Sequence, residues 1–338
     1  MKDQKCAIGV DLGGTKIQAA LVGGSGEILK DLRLATKAGD GPEAVMEKVS
    51  GAVRELLQGT ERSPAGLGVG VAGQLDPSGE TVLFAPNLAW HDVPLQAALQ
   101  RQLELPVVLI NDVRAATWGE WLFGAGHGCD DLICLFVGTG IGGGIVSAGR
   151  MLEGSSNTAG ELGHITVDLH GPPCHCGNRG CLEALAGGWA IARRAREAVA
   201  ADPLAGAPLK KMAHGREDAI TAELVARAAQ AGDPLAEELV AITAEALIAG
   251  TVGVVNAFNP GRLILGGGVL EGTPDLARRI ERGVRARALQ AACQDLQVLP
   301  AELHNHAGVI GAAALAMRRF GSQHFSEQEH VVGSTGDA

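Results

Sequence analysis

Residues 131–149 read DLICLFVGTGIGGGIVSAG: an apolar run, a glycine-rich turn, and a second apolar run. Residues 7–24, AIGVDLGGTKIQAALVGG, have the same layout with hardly any shared identity. Small and β-branched apolar residues on both sides of a glycine turn are the signal of a strand–turn–strand hairpin. Two such hairpins in one chain predict two related halves, each presenting one glycine turn to a shared cleft.

Working outward, residues 6–34 contain three strands: CAIGVD, IQAALV and EILKDLRL. A helix is expected from Pro42 to Leu57, where Val45, Val49, Val53, Leu56 and Leu57 recur at helical spacing. There follow a strand in GLGVGVAG, a turn at DPSG, a strand in TVLFA and a helix near 93–103. The strand PVVLIND then leads into a helix RAATWGEWLFG. Beyond the second hairpin the pattern predicts helices at 187–200, 220–230 and 233–257, a strand in RLILGGGV, and helices at 275–289 and 309–319. The polar tail 321–338 is expected to be disordered. The class is α/β.

The chain has 338 residues, long enough for two domains, with 49 glycines, no tyrosine and 3% aromatics, so its core must come from Ala, Val, Leu and Ile. A net charge of −10 disfavours nucleic acid and anionic membranes as general partners. No secretory signal follows the N-terminal lysines, and no uninterrupted apolar run reaches the ~18 residues of a spanning helix. Seven cysteines, four of them (Cys6, Cys129, Cys134, Cys293) scattered singly, suit a reducing compartment, and a cytoplasmic location is expected.

Two segments satisfy G-x-G-x-x-G: Gly68/Gly70/Gly73 and Gly138/Gly140/Gly143. A dinucleotide fingerprint needs these glycines to open a helix. Both are followed by turn or strand residues instead, and no P-loop pattern is present. The alternative is an anion clamp in which backbone N–H groups of hairpin turns converge on phosphate. DLGGTK (Asp11, Gly13, Gly14, Thr15, Lys16) offers such donors plus a hydroxyl and a cation, and Gly138, Thr139, Gly140, Gly142 and Gly143 offer a second set. A third run containing Gly267 and Gly268 would let a flat adenine edge approach the backbone.

Asn111 and Asp112 stand between an apolar strand and a helix. Either could simply cap that helix. Alternatively Asp112, at the carboxyl end of a strand in an open α/β sheet, is placed to take the proton of an attacking hydroxyl during phosphoryl transfer.

Residues 161–183, ELGHITVDLHGPPCHCGNRGCLE, hold His164, Cys174, Cys176 and Cys181 in an H-x₉-C-x-C-x₄-C spacing that matches a closed structural Zn²⁺ site. His175, between two ligand cysteines, more naturally points away, while His170 competes with His164 for the imidazole position. A metal clamp would stiffen the loop and fix Glu161 and Glu183, whose carboxylates suit sugar hydroxyls. Glu183 could equally serve the dipole of the helix it begins.

The motifs DLGGTK, PNLAW, NDVRAA, FVGTGIGGGIV, AGELGHITVD, CHCGNRGCLEALAGG and AGVIGAAALA together resemble the ROK proteins (repressors, open-reading-frame products and sugar kinases), above all the bacterial glucokinases, over about residues 6–320. The resemblance implies an actin/hexokinase-like (ribonuclease H-like) two-domain fold with an interdomain cleft. Its small α/β domain would be 1–115 plus 307–320, and its large α/β domain, with the zinc loop, 116–306. It also implies ATP-dependent phosphorylation of a hexose at its primary hydroxyl, with glucose the first expectation. N-acetylmannosamine, N-acetylglucosamine, fructose or allose is the alternative substrate. Asp112 is then the general base, and Asn87, Asn111, Glu161, His164 and Glu183 contact the sugar. The two glycine turns hold the ATP phosphates, Asp11 holds Mg²⁺ directly or through water, Zn²⁺ is structural, and the assembly is a homodimer or homotetramer. The family's repressors carry a helix-turn-helix domain ahead of this fold; here the first strand begins at Cys6, so a kinase is expected rather than a DNA-binding or catalytically silent sugar-responsive regulator. One departure stands out. The glucokinases commonly read NDANAA, and this chain reads NDVRAA, so Arg114 either points to solvent or alters sugar or phosphate contact.

Overall fold

The computed structural model describes residues 5–321. The expected tail, apart from Gly321, lies outside the described residues. Among the described residues, thirteen strands form three sheets. In chain order they are β1 Cys6–Leu12, β2 Lys16–Gly23, β3 Ile28–Ala35, β4 Leu67–Val71, β5 Gln74–Leu75, β6 Val82–Ala85, β7 Trp90–Val93 and β8 Val107–Asn111. The remainder are β9 Leu132–Val137, β10 Ile141–Ser147, β11 Arg150–Met151, β12 Arg262–Gly266 and β13 Gln297–Pro300.

The first sheet has the order β3-β2-β1-β4-β8 and the second β11-β10-β9-β12-β13. These are one topology used twice: a three-stranded antiparallel meander whose first strand pairs in parallel with a strand that returns after a crossover. The two hairpins legible in the sequence are β1–β2 and β9–β10, paired Leu12 with Ile17 and Val137 with Ile141. A small third sheet, β5-β6-β7, sits on the first half.

Alternation along the strands sorts the cores. Ile8, Val10 and Leu12 meet Val45, Val49 and Val53 of the helix Pro42–Leu57 on one face of the first sheet. On the other face Ala7, Ala20, Val22 and Val108 meet Val309, Ile310 and Ala313 of the C-terminal helix Ala307–Phe320. That helix lies so close that a Cβ on Gly9 or Gly68 would strike the carbonyls of Val309 and Ala312. Gly68, first member of a dinucleotide-like pattern, therefore serves helix–sheet packing and no cofactor.

The helix Asp112–Phe123 lies between the two sheets, its Trp118 against Ile110 and Ala312 and its Trp121 beside Leu132 and Cys134 of β9. Buried Glu120 accepts hydrogen bonds from the amides of Ala125, Glu302 and Leu303, tying the stretch after the helix and the 302–303 stretch to it. The second sheet packs Ile133, Leu135 and Val137 against Leu247, Val254 and Val255 of the helix Pro234–Phe258. Among the described residues that helix alone is long and apolar enough to cross a membrane, with mean hydropathy 1.7, and half of the qualifying stretch is buried inside the protein. Its Glu237, Glu238 and Glu245 interrupt the apolar run.

Candidate functional site

Register places the site. Leu12 pairs with Val71 and Val71 with Asn111, so the turn after β1, Gly73 and Asp112 all emerge from one carboxyl edge of the first sheet. In the second sheet Phe136 pairs with Gly266, so the turn after β9 and the Gly267–Gly268 run leave by the equivalent edge. Gly267 has φ +95° and opens a short helix, Gly268–Gly272, that the sequence did not announce.

The first glycine turn is closed by the Gly13 amide donating to the Lys16 carbonyl at 3.0 Å and by the Thr36 hydroxyl donating to the Gly13 carbonyl at 2.6 Å. Asn87 presses against Gly14, so the PNLAW segment does reach this turn. Thr15 and Lys16 are exposed above it. At the second turn the Gly138 amide donates to the Gly140 carbonyl at 2.9 Å, and the space beside Gly140 is filled by the Glu183 carboxylate. Gly142 lies against Val113, so the β9–β10 hairpin packs over the first turn of the Asp112 helix.

The capping question is answered by Asn111. Its Oδ1 accepts from the amides of Val113 (3.0 Å) and Arg114 (3.2 Å), and its Nδ2 donates to the Gly73 carbonyl at 3.3 Å. Asn111 is the N-cap and Asp112 the first helical residue. The Asp112 carboxylate, which accepts from the Val113 amide at 2.9 Å, has one oxygen left over in the cleft. Burial, then the charge of Asp11 and that of Glu161, push its pKa up to about 7, against the lowering effect of the Val113 amide. Asp11 is itself raised by burial, with Lys16 pulling the other way.

Opposite these residues, Glu161 leads into a 3₁₀ turn, Leu162–His164, packed on β10. Burial raises the Glu161 pKa while His164 and Arg114 lower it and Glu183 raises it. Glu183 accepts from the Ile141 amide at 2.8 Å and from Trp189 Nε1 at 3.2 Å, so it also ties the second glycine turn to the helix Gly188–Ala201.

His164, Cys174, Cys176 and Cys181 bring one ligand atom each to within 4.8 Å of one another. His164 Nδ1 lies 3.7 Å from Cys174 Sγ, and Cys176 Sγ lies 3.7 Å from Cys181 Sγ. A tetrahedron with Zn–S of about 2.3 Å and Zn–N of about 2.0–2.1 Å has edges of about 3.8 and 3.6 Å. The donor set and its spacing fit a closed tetrahedral metal site. His170 and His175 are outside the group; the ring of His175 stacks on Trp189 at 4.2 Å.

Arg114 does not point to solvent. It is 4% exposed, and its guanidinium donates to Asn157 Oδ1 at 2.6 Å and to the Asn157 carbonyl at 3.0 Å. Neither Asn157 nor Trp189 was legible as a site neighbour. For Arg114 the signal was available, because it shares the 114, 118, 121 stripe with two core-facing tryptophans.

Two five-stranded sheets of one topology, each presenting its carboxyl edge and a glycine turn to the same cleft, make the fold actin/hexokinase-like. Residues 7–319 match the ROK family model, and the chain belongs to that family. The crystal structure of a ROK family glucokinase from Streptomyces griseus, in complex with glucose and AMPPNP, superposes with a TM-score of 0.81 at 38% identity, covering 93% of this chain and 99% of that one. A glucokinase from Thermotoga maritima is 36% identical over 93% of this chain and 98% of its own length. An N-acetylmannosamine kinase from Escherichia coli is 33% identical over 91% and 97%.

Proposed function

We propose that the protein transfers the terminal phosphoryl group of ATP to the primary hydroxyl of a hexose, glucose first. The observation that carries this is Asp112, free of capping duty, standing at the carboxyl edge of one sheet with a glycine turn on either side. In this reading the cleft separates a small unit (1–115 with 307–320) from a large one (116–306). Asp112 takes the hydroxyl proton as the sugar oxygen bonds to the γ-phosphorus and the bond from that phosphorus to the β-phosphate bridge breaks, releasing ADP. Positioning and charge supply most of the acceleration in such a transfer. The amides of residues 13–16 and 138–143 and the Lys16 cation hold the phosphates, and Gly267 and Gly268 border the adenine. Asn87, Asn111, Glu161, His164 and Glu183 hold the other hydroxyls, His164 through Nε2 because Nδ1 faces Cys174. Mg²⁺, held at Asp11, would neutralise the phosphate charge, and Zn²⁺ held by His164, Cys174, Cys176 and Cys181 would stiffen the far wall. Seven cysteines, none of them in a disulfide, suit the cytoplasm. Assembly as a homodimer or homotetramer belongs to the same reading.

An ADP-release assay across glucose, N-acetylmannosamine, N-acetylglucosamine, fructose and allose tests it, with the highest kcat/KM expected for glucose. A higher value for N-acetylmannosamine would select the second reading, which the 33%-identical relative favours. Turnover of none would end both.

The base must be ionised to act. A pKa raised to about 7 moves the loss of activity up from the ordinary carboxylate range. The kcat/KM for sugar is expected to fall about tenfold per pH unit below about 7, and Asp11→Asn, by removing a like charge, to shift that limb to lower pH. A pH–rate profile of the two proteins measures both.

A further inference from the structure

Arg114 and Asn157 form a clasp between the Asp112 helix and the loop that leads to Glu161. Arg114 lies two residues beyond Asp112, and Asn157 lies four residues before Glu161. Besides receiving both guanidinium bonds, Asn157 donates its Nδ2 to the Asp76 carbonyl at 3.1 Å. Asp76 in turn organises the β5–β6 turn, where its Oδ1 accepts from the amides of Glu80 (2.7 Å) and Thr81 (2.8 Å). One asparagine side chain thus joins three separate segments: the helix that begins at the base, the loop that leads into Glu161, and a hairpin of the first half. Asn157 has φ +61°, a left-handed conformation that Asn tolerates better than most residues, so the backbone is committed to presenting this side chain. In the loop before Glu161, residues 153–156 and Thr158 are exposed; the loop closes on itself through the Ala159 amide donating to the Glu153 carbonyl at 3.0 Å, and it is tied to the Asp112 helix and the β5–β6 hairpin through Asn157. A buried arginine bonded on two sides to one loop residue is costly to desolvate and is retained only where its bonds are made.

We propose that Arg114 is a positioning residue for the sugar site, clasping the 153–160 loop through Asn157 so that Glu161 is in place before the sugar arrives. The inference rests on the sugar-kinase reading of the cleft, but the order of the loop does not depend on turnover.

The test uses the full chain and two readouts. Arg114→Met keeps the volume and removes the bonds. It is expected to raise the KM for the preferred sugar about 10- to 100-fold, as loss of hydrogen bonds to a charged group does, with kcat within about threefold of the parent. In the sugar-free protein, amide exchange across 158–164 is expected to quicken about tenfold or more. Arg114→Lys, which keeps the charge but loses the two-pronged contact, should fall between. Asn157→Gly, compatible with positive φ, should reproduce the KM rise, and it decides the matter should Arg114→Met fail to fold. Unchanged KM and unchanged loop exchange in a folded variant would overturn the clasp. Equal losses in kcat and kcat/KM at unchanged KM would overturn it too, placing Arg114 at the transition state instead. A parent protein that phosphorylates no sugar defeats the functional reading alone, and the exchange experiment still decides whether the clasp orders the loop.

Discussion

Asp112→Asn is expected to lower kcat by about 10²- to 10⁴-fold while leaving the sugar KM within a few-fold of the parent. The substitution is nearly isosteric, and Asn111 rather than Asp112 caps the helix, so the helix start survives. The side chain can still accept the Val113 amide through its carbonyl oxygen. It can no longer take a proton. On the proposed reading the loss therefore falls on the transition state, with binding left to Glu161, His164 and Glu183. Steady-state kinetics with sugar and ATP varied separately measure it; kcat within twofold of the parent would remove Asp112 from the base role. Asp112→Ala should cost at least as much in kcat.

Loss of the proposed zinc is expected to cost sugar affinity more than global fold. The Cys174, Cys181 and Ala184 cluster, with Trp189 against it, is a small core of its own, apart from the cores of both large sheets. Cys176 is the exposed member of the proposed ligand set, so Cys176→Ser loses almost no packing of its own. The variant should hold well under one zinc per chain by elemental analysis and bind the sugar about tenfold more weakly or worse. Far-UV circular dichroism should stay near that of the parent. Trp189 offers a local reporter, since its indole stacks on His175 and donates to Glu183. Sugar affinity that survives complete loss of zinc would separate the metal from the pocket.

The hairpins that define both halves were legible because a glycine turn flanked by buried strands is a strong local pattern. The long amphipathic helices were legible for the same reason, within two residues at most ends. The edge strand β13 was not, because its residues 297–300 are only partly buried and carry no alternation. Nor was β7: Trp90–Val93 sits directly ahead of the helix Leu95–Leu103, and the expected helix start at 93 ran the two together. The short helix Ala207–Met212 also went unseen, hidden between longer neighbours. At the site, spacing named the thiols together with His164 but left His170 as a competitor, and only the way the loop folds back on β10 removes it. Asn111 and Asp112 are both good caps by type, and only the observed hydrogen bonds assign one to the helix and leave the other to the cleft. Arg114 and Asn157 are separated by 43 residues, a distance over which no local pattern reports a contact.

The return of Ala307–Phe320 to the sheet that the chain's first strands build has a consequence for biosynthesis. At about 5–20 residues per second, a ribosome that has finished β8 needs about 10–40 s more to deliver the covering helix. Throughout that interval Ala7, Val22 and Val108 face water or a chaperone. Asp112 is thus translated early, yet the sheet that carries it can be sealed only once residues 307–320 have emerged.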